Sequence, residues 1–157
     1  MNRAETGRRG EAAAARWYQK QGAQLLAHNY HTRMGELDLV LREPDGTIVI
    51  CEVKTRSQGM LQRPAAAVDP AKQHRLICAA QKYLQQTGQS EEPVRFDVAE
   101  VVPLDSGRWM VHIINKGCLS LRTLGRNRGT GGKYAAKRGF CRTTGNVPGT
   151  FRGEKER

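Results

Sequence analysis

The sequence predicts a single α/β domain: a mixed central sheet flanked by helices, in the order αβββαβ with one more strand at the end, followed by a basic tail. Three observations predict it. Segments that alternate with period two (34–41 and 47–54) are interleaved with two stretches whose apolar residues recur at helical spacing. Gly and Pro signals stand where one period gives way to the next. Charge is divided sharply, with 15 Lys+Arg and 13 Asp+Glu in residues 1–115, against 11 Lys+Arg and only Glu154 and Glu156 in residues 116–157.

The first helix is expected from about Thr6 to Lys20, with Gly22 ending it. Ala14, Ala15 and Tyr18 follow Glu11 at i+3, i+4 and i+7, so Glu11 lies on the apolar stripe, where a carboxylate needs a partner or a task. Gln24 to Ala27 reads as a short strand. In Met34 to Leu41, the residues Leu37, Leu39 and Leu41 point one way, and Glu36, Asp38 and Val40 the other. Pro44-Asp45-Gly46 is a turn. Thr47 to Lys54 alternates again, with Val49, Cys51 and Val53 on one face and Ile48, Ile50, Glu52 and Lys54 on the other. Ser57 to Val68 reads as a loop. Asp69-Pro70, an N-cap followed by an N1 proline, opens a helix that runs to about Gln86 and stops at Gly88. Its buried stripe is Leu76, Ile77, Ala80, Tyr83 and Leu84. Two further strands, Val94 to Val101 and Trp109 to Ile114, are joined through Pro103–Gly107.

The 157 residues carry a net charge of +11, but residues 1–115 account for only +2 of it. Residues 116–157 hold 9 of the 17 glycines and show little apolar periodicity, the composition of a disordered tail. The division is therefore a domain over 1–115 and a tail over 116–157, and the basic charge describes the tail. No apolar run approaches the ~18 residues of a membrane span. The start leads into a charged helix instead of the apolar core of a signal peptide. Cys51, Cys78, Cys118 and Cys141 contain no CxxC pair, which argues against a zinc knuckle or a disulfide scaffold and for a reducing cytoplasm.

The chemistry lies in Gly35-Glu36-Leu37-Asp38 and Cys51-Glu52-Val53-Lys54-Thr55-Arg56. If the hairpin pairs symmetrically about Asp45, opposed positions sum to 90, so Asp38 faces Glu52 and Glu36 faces Lys54. Opposed residues share a face with Cβ atoms roughly 4.5–5.5 Å apart, whereas a one-residue slip would send Asp38 to the other side. Two close carboxylates repel unless they share a cation. A hard ion such as Mg²⁺ (or Mn²⁺) suits oxygen ligands, with Asp38, Glu52 and the backbone carbonyl of Val53 as candidates. Such an ion polarises a phosphodiester, with Lys54 beside the attacked phosphoryl group and Glu11 as an accessory acid. The alternative is an exposed Lys54–Glu36 pair on a solvated strand, contributing about 0–1 kcal/mol. Arg56, Lys72, Arg75 and Arg33 are candidates for phosphate contact. Asp97 is a candidate buried structural carboxylate at the sheet's edge.

These motifs, together with Gly10-Glu11-x-x-Ala14 on the first helix, the helix carrying Lys72, and Arg95-Phe96-Asp97-Val98, resemble the bacterial YraN family, also called UPF0102. The resemblance spans residues 7 to about 114. That family is similar to archaeal Holliday-junction resolvases of the PD-(D/E)xK nuclease superfamily. The resemblance implies a restriction-endonuclease-like core, with Asp38, Glu52 and Lys54 in the catalytic positions and Glu11 and Glu36 as accessory acids. It also implies DNA, branched DNA included, as substrate, and a homodimer that cuts two strands. The chain departs from the family in having Cys51 before Glu52, and in continuing past Ile114-Asn115 where the family usually ends. The extension is either a frameshifted reading of the gene's end or a genuine nucleic-acid-binding tail. The expected function is a metal-dependent endonuclease. The alternatives are a non-catalytic nucleic-acid-binding module of the same fold, or an adaptor whose acidic face grips a protein.

Overall fold

A computed structural model describes residues 2–57, 70–119 and 149–152. Helix α1 (Arg3–Lys20) starts where the Asn2 side chain accepts the Glu5 N–H at 2.8 Å, which satisfies one of the free donors of the first turn. It stops at Gln21 and Gly22, the latter at φ 91°, a backbone state glycine adopts without strain. Five strands follow, interrupted by one helix: β1 (Gln24–His31), β2 (Glu36–Arg42), β3 (Ile48–Thr55), α2 (Pro70–Gln86), β4 (Val94–Pro103) and β5 (Arg108–Leu119). A sixth strand, β6 (Gly149–Arg152), pairs antiparallel with β5. Spatial order follows chain order, β1 to β6, and every neighbouring pair is antiparallel except β3–β4. A parallel pair needs a crossover, and α2 supplies it. The fold is thus the expected mixed α/β sheet with an αβββαβ core.

Two apolar clusters lie on the two sides of the sheet. One joins Ala13, Ala14, Ala15 and Tyr18 of α1 to Leu39, Leu41, Val49, Cys51, Ala99 and Val101. The other joins Ala79, Ala80, Tyr83 and Leu84 of α2 to Leu37, Val40, Ile48, Ile50, Val94 and Phe96. Strand β4, covered on both faces, is buried from Val94 through Val102. Helix α1 packs tightly on the sheet at Gly10, where a Cβ would fall on Thr55 Oγ1 and 3.3 Å from Thr55 Cβ. Among the described residues, no helix is long and apolar enough to cross a membrane.

Two elements outrun the expectation. β1 extends to His31, and β5 continues past Ile114 to Leu119, so the sheet takes residues 116–119 and 149–152 from the stretch assigned by composition to a disordered tail. The expected loop 57–68 falls outside the described residues from 58 onward, as does the proposed N-cap Asp69.

One expectation is corrected. Leu37 does not share a face with Leu39 and Leu41; it packs on the α2 side with Val40, whereas Leu39 and Leu41 pack on the α1 side. The cause lies across the ladder. Between the pairs His28↔Leu39 and Tyr30↔Leu37 stands Asn29 at φ 47°, a left-handed conformation that Asn tolerates better than most residues. Both strands change their facing there: Ala27 and Tyr30 lie three residues apart yet pack on the same side, as do their partners Val40 and Leu37. Asp38 sits at this break.

Candidate functional site

The β2–β3 hairpin keeps the expected register as far as Leu39↔Cys51, and the expected pairs Asp38–Glu52 and Glu36–Lys54 lie beyond the end of that ladder. Its turn is closed by the Gly46 N–H on the Glu43 carbonyl and by the Thr47 N–H on Asp45 Oδ1, each at 2.9 Å. The pairs run Arg42↔Ile48, Leu41↔Val49, Val40↔Ile50 and Leu39↔Cys51, each summing to 90 as symmetry about Asp45 requires. One step further, Asp38 Oδ2 accepts the Val53 N–H at 2.7 Å. A side chain takes over where the backbone ladder ends, and the Asp38 carboxylate is drawn against β3.

Three further acids surround it. Glu11 is delivered by α1 and held by Asn29, whose Nδ2 donates to Glu11 Oε2 at 2.9 Å. Glu36 opens β2, and Glu52 lies on β3. Burial pushes the Asp38 carboxyl up to about 6; the Val53 N–H works against this, while the charges of Glu11, Glu52 and Glu36 add to it. This is the repulsion expected of close carboxylates, now with named sources.

Glu52 is buried at 8% exposure. Its Oε1 takes the Lys54 ammonium at 2.9 Å and the Lys72 ammonium, from the first turn of α2, at 2.5 Å. Among the described residues, its Oε2 is buried without a hydrogen-bond partner. Burial acts to raise the Glu52 pKa, but the bonds from Lys72 and Lys54 prevail and hold it below the usual carboxylate value. The exposed alternative partner of Lys54 is not the one found: Glu36 instead faces His31, 3.6 Å from its Nδ1. The facing reversal at Asp38 explains why the strictly alternating scheme paired Glu36 with Lys54.

The candidate cations distribute unevenly. Lys72 joins the carboxylate centre directly. Arg56 follows the end of β3, its N–H on the Val101 carbonyl at 2.8 Å and its guanidinium 3.9 Å from Glu100. Arg75 is exposed on α2, its carbonyl 3.3 Å from where a Cβ on Gly35 would lie, so Gly35 lets the start of β2 come up against the helix. Arg33 is exposed in the Thr32–Gly35 turn, where Thr32 Oγ1 accepts the Met34 and Gly35 N–H groups.

Sequence reasoning missed Glu100. It is 5% exposed, paired in register with Lys54 on the neighbouring strand, and stands 3.9 Å from both Arg56 and His112. The available signal was a lone acid in the middle of the otherwise apolar run Val98-Ala99-Glu100-Val101-Val102. Asp97, expected at the sheet's edge, is on an interior strand and 1% exposed. It accepts the Tyr18 hydroxyl at 2.6 Å and the Arg95 guanidinium at 3.0 Å, and Arg95 reaches on to Glu43 at 2.7 Å.

The donor set fits a hard divalent cation in a limited way. Asp38 and Glu52 offer oxygens, one of them an unsatisfied buried oxygen. Among the described residues, no three His, Cys, Asp or Glu side chains form a ready metal cage. An ion bound by one or two carboxylates, with its remaining positions left to water and substrate phosphate, is the habit of Mg²⁺. Of the Val53 backbone, the N–H is engaged by Asp38.

The fold and this group of acids and lysines define an α/β protein with an αβββαβ core and a charged centre at the end of its β2–β3 hairpin. The chain belongs to the UPF0102 family: the model of that family, described as an uncharacterised protein family, matches residues 10–101. That stretch contains every candidate residue from Glu11 to Glu100. The chain is similar to a UPF0102 protein of Thermosynechococcus vestitus, 45% identical over 97 residues covering 60% of this chain and 78% of the relative. It is also similar to a UPF0102 protein of Syntrophomonas wolfei, 44% identical over 115 residues covering 73% of this chain and 98% of the relative. A third, from Bifidobacterium longum, is 43% identical over 107 residues, covering 67% and 86%.

Proposed function

We propose that this protein is a metal-dependent endonuclease that hydrolyses DNA phosphodiesters, with Asp38, Glu52 and Lys54 as its catalytic group. The observation that carries the reading is the Glu52 carboxylate, whose buried Oε2 finds no hydrogen-bond partner among the described residues while its Oε1 takes a lysine at 2.9 Å, beside an Asp38 crowded by three other acids. Burying such groups is costly without a compensating ligand or task. A bound Mg²⁺ or Mn²⁺ would supply Lewis acidity toward a phosphoryl oxygen. Asp38 and Glu52 would hold it. Lys54 would stand beside the phosphoryl group, where its ammonium offsets developing negative charge. Glu11, fixed by Asn29, would accept a hydrogen bond from water at the rim of the centre, with Glu36 as a further acid. Arg56, Lys72, Arg75 and Arg33 would contact phosphates, which position a duplex without reading its sequence. Branched DNA is the substrate class, a homodimer the assembly and the cytoplasm the location that we propose with it, from the resemblance of the family to resolvases.

The test is cleavage of branched and linear DNA with Mg²⁺ or Mn²⁺ titrated in. Metal-dependent cleavage is expected, lost with the fold retained in Asp38→Ala, Glu52→Ala and Lys54→Ala. Absence of cleavage across both metals and both substrates overturns the reading.

One observation favours a second reading, a non-catalytic nucleic-acid-binding module. Glu52 is already neutralised by two ammonium groups, as a purely structural carboxylate would be. Such a module binds DNA without added metal, and its affinity falls steeply with salt but not with the Asp38 or Glu52 substitutions.

A further inference from the structure

The Glu52 carboxylate has two oxygens with opposite fates. Oε1 receives two ammonium groups, Lys54 from its own strand and Lys72 from α2, while Oε2, although buried, receives nothing from the described residues. Two cations on one oxygen exceed what a single carboxylate needs. Lys54 is tied to its place by the β3–β4 ladder, where it pairs with Glu100. Lys72 is different: it sits in the first turn of α2 with 49% of its side chain exposed, on a long and flexible stem.

We propose that Lys72 is a displaceable counter-ion, which holds the Glu52 carboxylate until a divalent cation takes it over and then swings to a phosphate of the bound nucleic acid. This inference rests on the metal-dependent reading of the site and adds its regulation. Electrostatics argues for it directly. A divalent ion entering between Asp38 and Glu52 meets two ammonium groups already on Glu52, and repulsion is relieved most easily by moving the exposed one. The freed ammonium lies next to the site where a substrate phosphate would arrive, and a Lys–phosphate contact replaces the Lys–Glu pair. Metal and nucleic acid then help each other to bind: the metal releases Lys72, and the phosphate keeps it away from Glu52, a reciprocal coupling. Without nucleic acid, Lys72 holds the metal affinity down.

The experiment is calorimetric titration of the full chain with Mn²⁺ alone, comparing wild type with Lys72→Met. Lys72→Met is expected to bind Mn²⁺ roughly twofold to fivefold more tightly, the size of one partly exposed ion pair. The wild type is expected to gain a similar factor when a short DNA duplex is added, and Lys72→Met is not. Lys72→Arg, which keeps the charge, is expected to behave as wild type. Equal or weaker Mn²⁺ binding by Lys72→Met overturns the counter-ion role while leaving the metal site standing. Failure of both proteins to bind Mn²⁺ overturns the metal-dependent reading and the counter-ion role with it. Thermal melts accompany each titration, and since Lys72 is half exposed at a helix start, Lys72→Met is expected to melt within a few degrees of wild type.

Discussion

Asp38 Oδ2 lies 2.7 Å from the Val53 backbone nitrogen, in the place where the next ladder bond of the β2–β3 hairpin would otherwise form. A single hydrogen bond thus ends the hairpin and aims an acid at β3. It also favours the charged form of Asp38, against burial and against the fields of Glu11, Glu52 and Glu36. That balance leaves Asp38 near 6, between its neighbours' demands and its own solvation.

The pH dependence of stability follows from this value. Unfolded Asp releases its proton near ~3.9, whereas folded Asp38 retains it to about 6. Between those values the native state binds more protons than the unfolded state, so the Asp38 contribution falls as pH rises through that window. Glu52, held low, contributes oppositely, its stabilisation being lost as pH falls. The difference between wild type and Asp38→Asn isolates the first. The substituted amide keeps an oxygen for the Val53 N–H and loses the charge, so Asp38→Asn is expected to melt a few degrees higher than wild type at pH 7 and equal to it at pH 4. Melting curves from pH 4 to 7.5 check it; a difference that does not grow with pH contradicts the charge balance around Asp38. A gain in stability on removing a site residue is the usual trade between stability and activity.

Close packing at Gly10 gives an independent prediction. A methyl there lands on Thr55 Oγ1, so Gly10→Ala must push α1 away from β3 or displace Thr55. The expected loss is about 1–3 kcal/mol, the range for overpacking, despite the better helix propensity of Ala. Thr55→Ala removes the nearest obstacle but leaves Cβ 3.3 Å away. The double variant is therefore expected to recover part of the loss, a coupling that a urea-denaturation double-mutant cycle measures.

Asp97 tests the central buried network. Its side chain is fully inaccessible; burial pushes its pKa up in spite of the Arg95 guanidinium, and the Arg95 pKa is raised by Glu43 and Asp97 against its own desolvation. Replacing Arg95 by Met strands Asp97 beside the Tyr18 hydroxyl with no cation and is expected to cost about 3–5 kcal/mol, as for other broken buried pairs. Asp97→Asn, which still accepts from Tyr18, is expected to cost less. Urea midpoints of the two variants decide the order, and the reverse order would mean that leaving the Arg95 guanidinium short of Asp97 costs more than leaving the Asp97 carboxylate without Arg95.

What could be read from the chain, and what could not, follows from the range of the interactions. The hairpin register was legible because two alternating segments flank Pro44-Asp45-Gly46, and alternation plus a turn leaves one pairing. The facing of Leu37 was not, since it depends on the left-handed Asn29 of another strand, and a period-two pattern carries no sign of such a break. Lys72 was singled out as a phosphate contact, but its hold on Glu52 spans the β3–α2 crossover and has no local signature. The Tyr18–Asp97 bond joins residues 79 apart. Strand β6 was hidden by composition: Gly149-Thr150-Phe151-Arg152 has no apolar period, and its extended state comes from pairing along β5.

Arg56 separates contact with phosphate from structural support. Its guanidinium stands 3.9 Å from a buried Glu100, which in turn stands 3.9 Å from His112, so the group is oriented by a carboxylate while about a third of it meets solvent. A cation held this way just past the end of β3, two residues from Lys54, is where the proposed nuclease would take a backbone phosphate. Arg56→Ala is expected to weaken DNA binding uniformly across sequences and to reduce the slope of log K against log salt by about one. Glu100→Gln removes the orienting charge but not the cation. It is expected to weaken binding several-fold while leaving the salt slope unchanged, because the number of phosphate charges neutralised stays the same. Fluorescence anisotropy at four or five salt concentrations measures both quantities. If Arg56→Ala leaves affinity and slope alone, Arg56 serves only to neutralise Glu100, and the phosphate path must run along α2 instead.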